Sequence, residues 1–459
     1  MELHYETIAS VSRKLRSGEA SSTDLTQLML DRIERHNDTL NAFITVTGDL
    51  ALEQARKADD ERSQGKDCGP LHGIPIAIKD LFATKGIRTT NGSKLFENWI
   101  PDYDAAAVTR MLDAGVVLLG KTGLHELAYG NTSINPFFGA VRNPWATDHD
   151  PGGSSGGSAS AVSAGLAYAA LGSETGCSIR QPAHCCGIVG HKPSYGLVST
   201  AGVQPLVWTM DHVGPLTRSV EDAALLLAAL AGHNPDDPYS AINASVENFD
   251  CSGARLDGTV IGVVRSFFFD GYTDVIDVVD AALETLRELG AKLIDLELAN
   301  VEQASREARV TFAEALAVHA DNLEQNPEGF SEELRGRLAE SASIPASRYA
   351  QAQHFRRQFT KECEALMSKC EVLLAPTATI AAAPINDRPE DYRRHAWKNT
   401  GISDFTGQPS VSIPCGFTAK GLPVGMMFTG RLFEDRQVLQ IAHAVQQATD
   451  WYRTPPDFS

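Results

Sequence analysis

Short, continuous apolar runs recur from one end of the chain to the other, with helix-patterned segments between them. This alternation limits the fold more than any other feature. "GIPIAIKD" carries Lys79 at its end and "VVLLGKT" follows; "TVIGVV" and "AKLIDLEL" flank the amphipathic "VIDVVDAALETLRELG"; "EVLLAPTAT", "PSVSIPCG" and "LPVGMMFTG" come late. Apolar runs of this length without polar alternation are typical of strands buried on both faces, and such strands need helices on either side. No linker, composition break or internal repeat divides the chain. The pattern therefore predicts one α/β domain over residues 1–459, a three-layer α/β/α sandwich around a large mixed sheet.

Local signals fill in the frame. The first sixty-odd residues read as helices: "SSTDLTQLMLDRIERH" has a Ser/Thr/Asp cap and sets Leu25, Leu28, Met29 and Ile33 on one face. "SAVSAGLAYAALGS" reads as a closely packed helix of small residues, then a strand near Leu166–Leu171. Residues 300–395 are mostly polar and helical, with "RPEDYRRHAWKN" as a surface loop.

The formal charge is −18, from 58 acidic against 40 basic residues. Such a surface repels phosphate backbones, which argues against nucleic-acid binding. The N-terminal "MELHYETIASVSRKLRSGEA" has no apolar run fit for a signal peptide, and no stretch of 18 apolar residues occurs, so no membrane association is expected. The eight cysteines are scattered without CxxC spacing, which points to reduced thiols, no zinc site and a cytoplasmic location.

Three motifs compete for the chemistry. Gly115-V-V-L-L-Gly120-Lys121-Thr122 fits the phosphate-binding loop pattern. Its Val-Val-Leu-Leu centre belongs in a strand rather than a turn, so Lys121 reads as structural. Gly153-Ser154-Ser155-Gly156-Gly157 fits the nucleophile elbow, but "RNPWATDHDPGG" before it is a loop where an elbow needs a strand. The third signal joins Lys79, the serines in "PGGSSGGSASAV" and Ser178 in "GSETGCSIRQPA". A serine hydroxyl needs a base to become a nucleophile. A lysine serves as that base when burial keeps it neutral. A serine between the two would relay the proton, and glycines near Ser178 let backbone N–H groups approach an oxyanion. The bland alternative for Lys79 is a snorkelling lysine at a strand end.

On these segments, together with "AGVVLLGKTGLHELAYG", "GIVGHKPSYGLVST" and "MDHVGPLTRSVEDAALLL", the chain resembles the amidase signature family of Ser–cisSer–Lys hydrolases over residues 20–450. The signature core would cover about 70–230, and the variable helical region of about 300–400 would shape the pocket. The resemblance implies Ser178 as nucleophile, Ser154 on a cis peptide bond as relay, and Lys79 as base. It implies an oxyanion hole from the backbone of Thr175, Gly176, Cys177 and Ser178, with Ser155, Arg180 and Glu174 in support. No metal or organic cofactor is implied. Two departures stand out: Glu174 where the family usually has Asp, and Cys177 where it has Gly.

The implied activity is cleavage of a small-molecule amide, carbamate or urea through an acyl-enzyme. The alternative is the glutaminase component of a tRNA-dependent amidotransferase, although "SDFTGQP" stands where that component would carry "NLAG", and its glutamine-recognising arginine segment is not found. Leu124, Tyr129, Phe137, Phe138, Trp208 and Trp397 are the candidate pocket residues, favouring an apolar or aromatic substrate group. A homodimer is the default assembly.

Overall fold

The computed structural model describes residues 2–242 and 249–458. Eleven strands form one mixed sheet: β1 (Phe43–Val46), β2 (Pro75–Lys79), β3 (Val117–Thr122), β4 (Ala169–Glu174), β5 (Val189–Lys192), β6 (His212–Thr217), β7 (Val260–Val263), β8 (Lys292–Asp295), β9 (Val372–Pro376), β10 (Ser410–Phe417) and β11 (Pro423–Thr429). Their spatial order is β1-β3-β2-β4-β6-β5-β10-β11-β9-β7-β8. Helices cover the sheet on both faces, giving the three-layer sandwich that the apolar runs predict. Strands β2, β3 and β4 are buried at every position, as continuous apolar runs require.

Placement of the site follows from the topology. β2 lies parallel to β3 on one side and to β4 on the other, with Ile76 opposite Ala169 and Ile78 opposite Leu171. Parallel neighbours end at the same sheet edge, so the segments leaving Lys79 and Glu174 emerge together. In open α/β sheets that edge is where ligands bind.

The helices that matter for the site are α1 (Ser22–Leu40), α2 (Gly48–Ser63), α3 (Gly156–Ser163), α4 (Arg180–Cys186), α5 (Val301–Val310), α6 (Ala313–Gln325), α7 (Glu332–Ala342), α8 (Ala346–Met367), α9 (Tyr392–Trp397) and α10 (Thr400–Thr406). α1 starts where the Ser21 hydroxyl accepts the Asp24 N–H at 2.9 Å, and it buries Leu25, Met29 and Ile33. α3 is buried along its whole length. A Cβ at Gly157 would collide with backbone atoms of Gly123, so only glycine allows this helix to sit where it does.

The apolar interior has two main parts. One lies over the sheet and includes Ile76, Ile78, Leu119, Leu171 and Val213. The other lies under α5–α8 and includes Leu127, Tyr129, Leu206, Phe330, Leu338, Phe359 and Phe405.

Three local expectations need correction. The first sixty residues hold a strand as well as helices: β1 pairs antiparallel with β3, and its four residues are too few to show a period. "RPEDYRRHAWKN" is not simply a surface loop, because its second half forms α9 with Tyr392, His395 and Ala396 buried. The strand expected near Leu166–Leu171 runs from Ala169 to Glu174, since a turn at Gly165 intervenes after α3.

Candidate active site

Lys79 ends β2 with no exposed surface. Its Nζ lies 2.7 Å from Ser154 Oγ and 2.9 Å from Ser173 Oγ. Burial pushes the ammonium down to about 7, against the opposing pull of Asp211, Glu174 and Cys177. A lysine in that range is substantially neutral at neutral pH and can accept a proton.

The segment before α3 holds both serines. The Gly153–Ser154 peptide is cis. The Ser154 carbonyl accepts the His125 N–H at 3.2 Å and the Ser133 hydroxyl at 3.1 Å. The Ser155 hydroxyl donates to the Ser173 carbonyl at 3.1 Å, and its N–H donates to the Ser178 carbonyl at 3.2 Å. Ser155 is thus tied to the strand and loop around it, while Ser154 alone of the two touches the lysine.

Ser178 stands in the loop between β4 and α4. Glu174 pins this loop: its carboxylate accepts the Ile179 N–H at 2.7 Å, the Arg180 N–H at 2.9 Å and Arg180 Nε at 2.8 Å. Burial works to raise this carboxyl, but the guanidinium outweighs it and holds Glu174 below its ordinary value. Among the described residues, the N–H groups of Gly176, Cys177 and Ser178 donate to no protein acceptor. They are available to a developing oxyanion. The Cys177 thiol points to the Gly153 carbonyl at 3.6 Å, and burial pushes it up, so it stays protonated. The Thr175 hydroxyl donates to Asp211 at 2.6 Å, and burial raises Asp211 to about 6.

Ser178, Gly176 and Cys177 floor a cavity of about 510 Å³. Its walls include Tyr129, Leu206, Phe312 and Trp397. Tyr129 stacks on Phe312 at 5.3 Å, Arg337 lies over the Tyr129 ring at 5.4 Å, and Arg309 over Trp397 at 5.3 Å. A Cβ at Gly176 would overlap Trp397 Nε1, so the indole lies directly on the oxyanion loop.

Of the six candidate pocket residues, Tyr129 and Trp397 line this cavity and four do not. Leu124 is packed in the core against Gly92, Phe137 faces solvent, and Phe138 lies under Arg88 at 5.7 Å. Trp208 lines a separate cavity of about 230 Å³ that also holds Asp211 and Tyr239. Aromatic content does not say which way a loop turns its rings.

The sequence reading misses Ser133, Ser173, Phe312, Arg309, Arg337 and Asp404. Asp404, on α10, accepts from Arg180 Nη2 at 2.6 Å. Lys121 is structural as expected: it reaches Asp80 at 3.3 Å, the Phe82 carbonyl and Thr89, and binds no loop of phosphate-cradling form.

One group of metal-ligating type occurs among the described residues, Glu61, Cys68 and His72. Lys66 lies 2.6 Å from Glu61, His72 Nε2 lies 3.1 Å from the Glu61 carboxylate, and the Cys68 N–H donates to His72 Nδ1. No helix among the described residues is long and apolar enough to cross a membrane.

Known proteins resemble the chain along nearly its whole length. The A component of the glutamyl-tRNA(Gln) amidotransferase from Thioalkalivibrio sulfidiphilus (strain HL-EbGR7) is 39% identical over 485 residues, covering 99% of each chain. The native peptide amidase of Stenotrophomonas maltophilia is 33% identical with a TM-score of 0.87, covering 99% of this chain and 98% of that one. A bacterial aryl acylamidase of the amidase signature enzymes is 26% identical with a TM-score of 0.89, covering 100% of this chain and 99% of the other. Residues 24–439 match the amidase family, described simply as Amidase, and the chain belongs to that family.

Proposed function

We propose that this protein is a free-standing hydrolase that cleaves the C–N bond of a small-molecule amide through an acyl-enzyme on Ser178. The observation that carries the reading is the buried lysine 2.7 Å from Ser154 Oγ, beneath a cavity floored by Ser178 and three unpaired backbone N–H groups. Ser178 Oγ attacks the substrate carbonyl as its proton passes to Ser154, whose own proton moves to neutral Lys79. The carbonyl oxygen, now negative, is held by the N–H groups of the 176–178 segment. Collapse breaks the C–N bond, and the leaving nitrogen takes the proton back from Lys79 through Ser154. Water then attacks the ester by the same relay and releases the acid. A carbamate or urea offers the same carbonyl with a heteroatom leaving group and enters the same scheme.

Support for a bulky apolar or aromatic substrate group comes from the Tyr129, Phe312, Leu206 and Trp397 walls. A second reading makes the chain the glutaminase component of a tRNA-dependent amidotransferase. The sequence relatives favour it over the free-standing reading: three A components of glutamyl-tRNA(Gln) amidotransferases are 36–39% identical over nearly the full length of both chains. The aromatic walls and the "SDFTGQP" segment favour the free-standing enzyme. The purified protein alone, assayed against aryl amides, peptide amides, carbamates, ureas and glutamine, separates the two. Turnover of aryl or peptide amides without a partner supports the first reading. Glutamine hydrolysis alone, or inactivity until amidotransferase partners are added, supports the second.

A further inference from the structure

Arg180 binds two acids in a fully buried place. Its Nη2 contacts Glu174 Oε1 and, at 2.6 Å, Asp404 Oδ2; Nη1 reaches Ser403 Oγ at 2.5 Å, and Nη2 also reaches the Thr400 carbonyl at 3.0 Å. Arg180, Glu174 and Asp404 have no exposed surface, and both carboxyl groups meet the same Arg180 Nη2. Asp404 comes from α10, and Glu174 from the end of β4 just before the nucleophile loop.

Among the described residues no second cation donates a hydrogen bond to Asp404, although Lys192 acts on it through space and, with Arg180, opposes the effect of burial. His212 Nδ1 lies 3.4 Å from Asp404 Oδ1, but its N–H goes to the Met210 carbonyl at 2.6 Å. Its Nε2 accepts from Lys192, 3.1 Å away, so the ring is neutral. The remaining Lys192 contact is the Pro193 carbonyl. Asp404 Oδ1 is left with no protein hydrogen-bond partner in a fully buried site. A bare carboxylate oxygen there would be costly, and two carboxylates sharing one guanidinium would repel each other.

We propose that Asp404 is a positioning residue which holds the nucleophile loop as a neutral carboxyl, sharing one proton with Glu174 across the Arg180 guanidinium. The proton removes the repulsion and gives Asp404 a donor to aim at Glu174. Glu174 keeps its negative charge for the Ile179 and Arg180 N–H groups, which fix the backbone just beyond Ser178. Burial and the neighbouring Glu174 both push Asp404 well above the usual carboxylate range, in the same direction.

The inference rests on Ser178 as the nucleophile, and the test separates the two claims. An amide side chain mimics a protonated carboxyl, so Asp404→Asn retains turnover within about threefold, whereas Asp404→Leu, which releases the loop, loses about a hundredfold in kcat. Glu174→Gln removes the charge and does not share the tolerance of Asp404→Asn. Independently of activity, the infrared spectrum of the resting protein at neutral pH carries a protonated-carboxyl stretch that Asp404→Asn abolishes. A spectrum in which Asp404→Asn removes no such band, or an Asp404→Asn enzyme as impaired as Glu174→Gln, overturns the proposal. If Asp404→Leu fails to fold, the asparagine variant and the infrared band decide. A Ser178→Ala protein that kept its activity would refute the nucleophile assignment while leaving the band in place.

Discussion

The site brings together two regions built by different means. The floor, made of β2, β4 and the loops at their ends, is positioned by strand register and by backbone groups: Glu174 on two N–H groups, Ser155 on the Ser173 carbonyl, Gly157 against Gly123. The walls, made of α5, α7, α9 and the segments at Tyr129 and Phe312, are positioned by side chains: rings stacked on rings and guanidinium groups over both. The floor has little freedom to change, because one added methyl group at Gly157 or Gly176 would overlap other atoms. The walls have much more. Under the proposed function, chemistry falls to the floor and substrate choice to the walls.

The largest expected effect tests the floor. Ser178→Ala lowers kcat about 10⁴-fold or more on any accepted substrate, as removal of a nucleophile does in serine hydrolases. Steady-state assay of a variant with unchanged circular dichroism checks this, and activity within about tenfold of the parent would break the division outright. Lys79→Ala removes most activity at every pH, by about 10³-fold.

The parent's own pH profile sharpens the same point. In the proposed mechanism Lys79 works only when neutral, because its ammonium form cannot take the proton from Ser154. With the lysine at about 7, kcat/KM rises as pH increases through about 7 and levels off above it. A profile flat from acid to neutral pH would remove Lys79 as the base.

The walls predict a different kind of change. Trp397→Ala takes away a ring that lies on Gly176 and carries Arg309, so KM for an aromatic amide rises about tenfold while kcat moves about threefold or less. Equal losses in kcat and kcat/KM would place Trp397 in the catalytic floor instead. The smallest effect belongs to Cys177→Gly. The backbone donor remains, so kcat on a small amide stays within about threefold of the parent. A larger loss would mean that the thiol's contact with Gly153 holds the relay serine.

The same division governs what could be read from sequence. Lys79, Ser154 and Ser178 stand out in the sequence because the proposed chemistry needs particular residue types in short segments, a lysine ending an apolar run and serines among glycines, whereas the supporting roles of Ser155, Glu174 and Arg180 enter only with the family resemblance. The sheet was legible because doubly buried strands leave continuous apolar runs. β1 was not, since four residues on an edge leave no period.

Asp404 was hidden for another reason. It meets Arg180 across 224 positions of sequence, and nothing in "SDFTGQP" says that its acid turns inward to a guanidinium. Phe137 and Phe138 were misplaced because the loop that carries them bends away from the cavity, with Phe137 ending in solvent. Arg309 and Arg337 were passed over because arginines on polar helices ordinarily face water, and only the packing of α5 and α7 around Tyr129 and Trp397 gives them a ring to cover.

The ring lying on Gly176 has an evolutionary consequence. Trp397 belongs to a six-residue helix outside the sheet, whereas the glycine beneath it tolerates no side chain while the indole is there. Selection can exchange the roof without disturbing the machinery under it, but it cannot enlarge residue 176 without first giving up the roof. Substitutions at this pair are therefore ordered in time, and a lineage that loses the tryptophan gains access to variants at 176 that its ancestor could not survive.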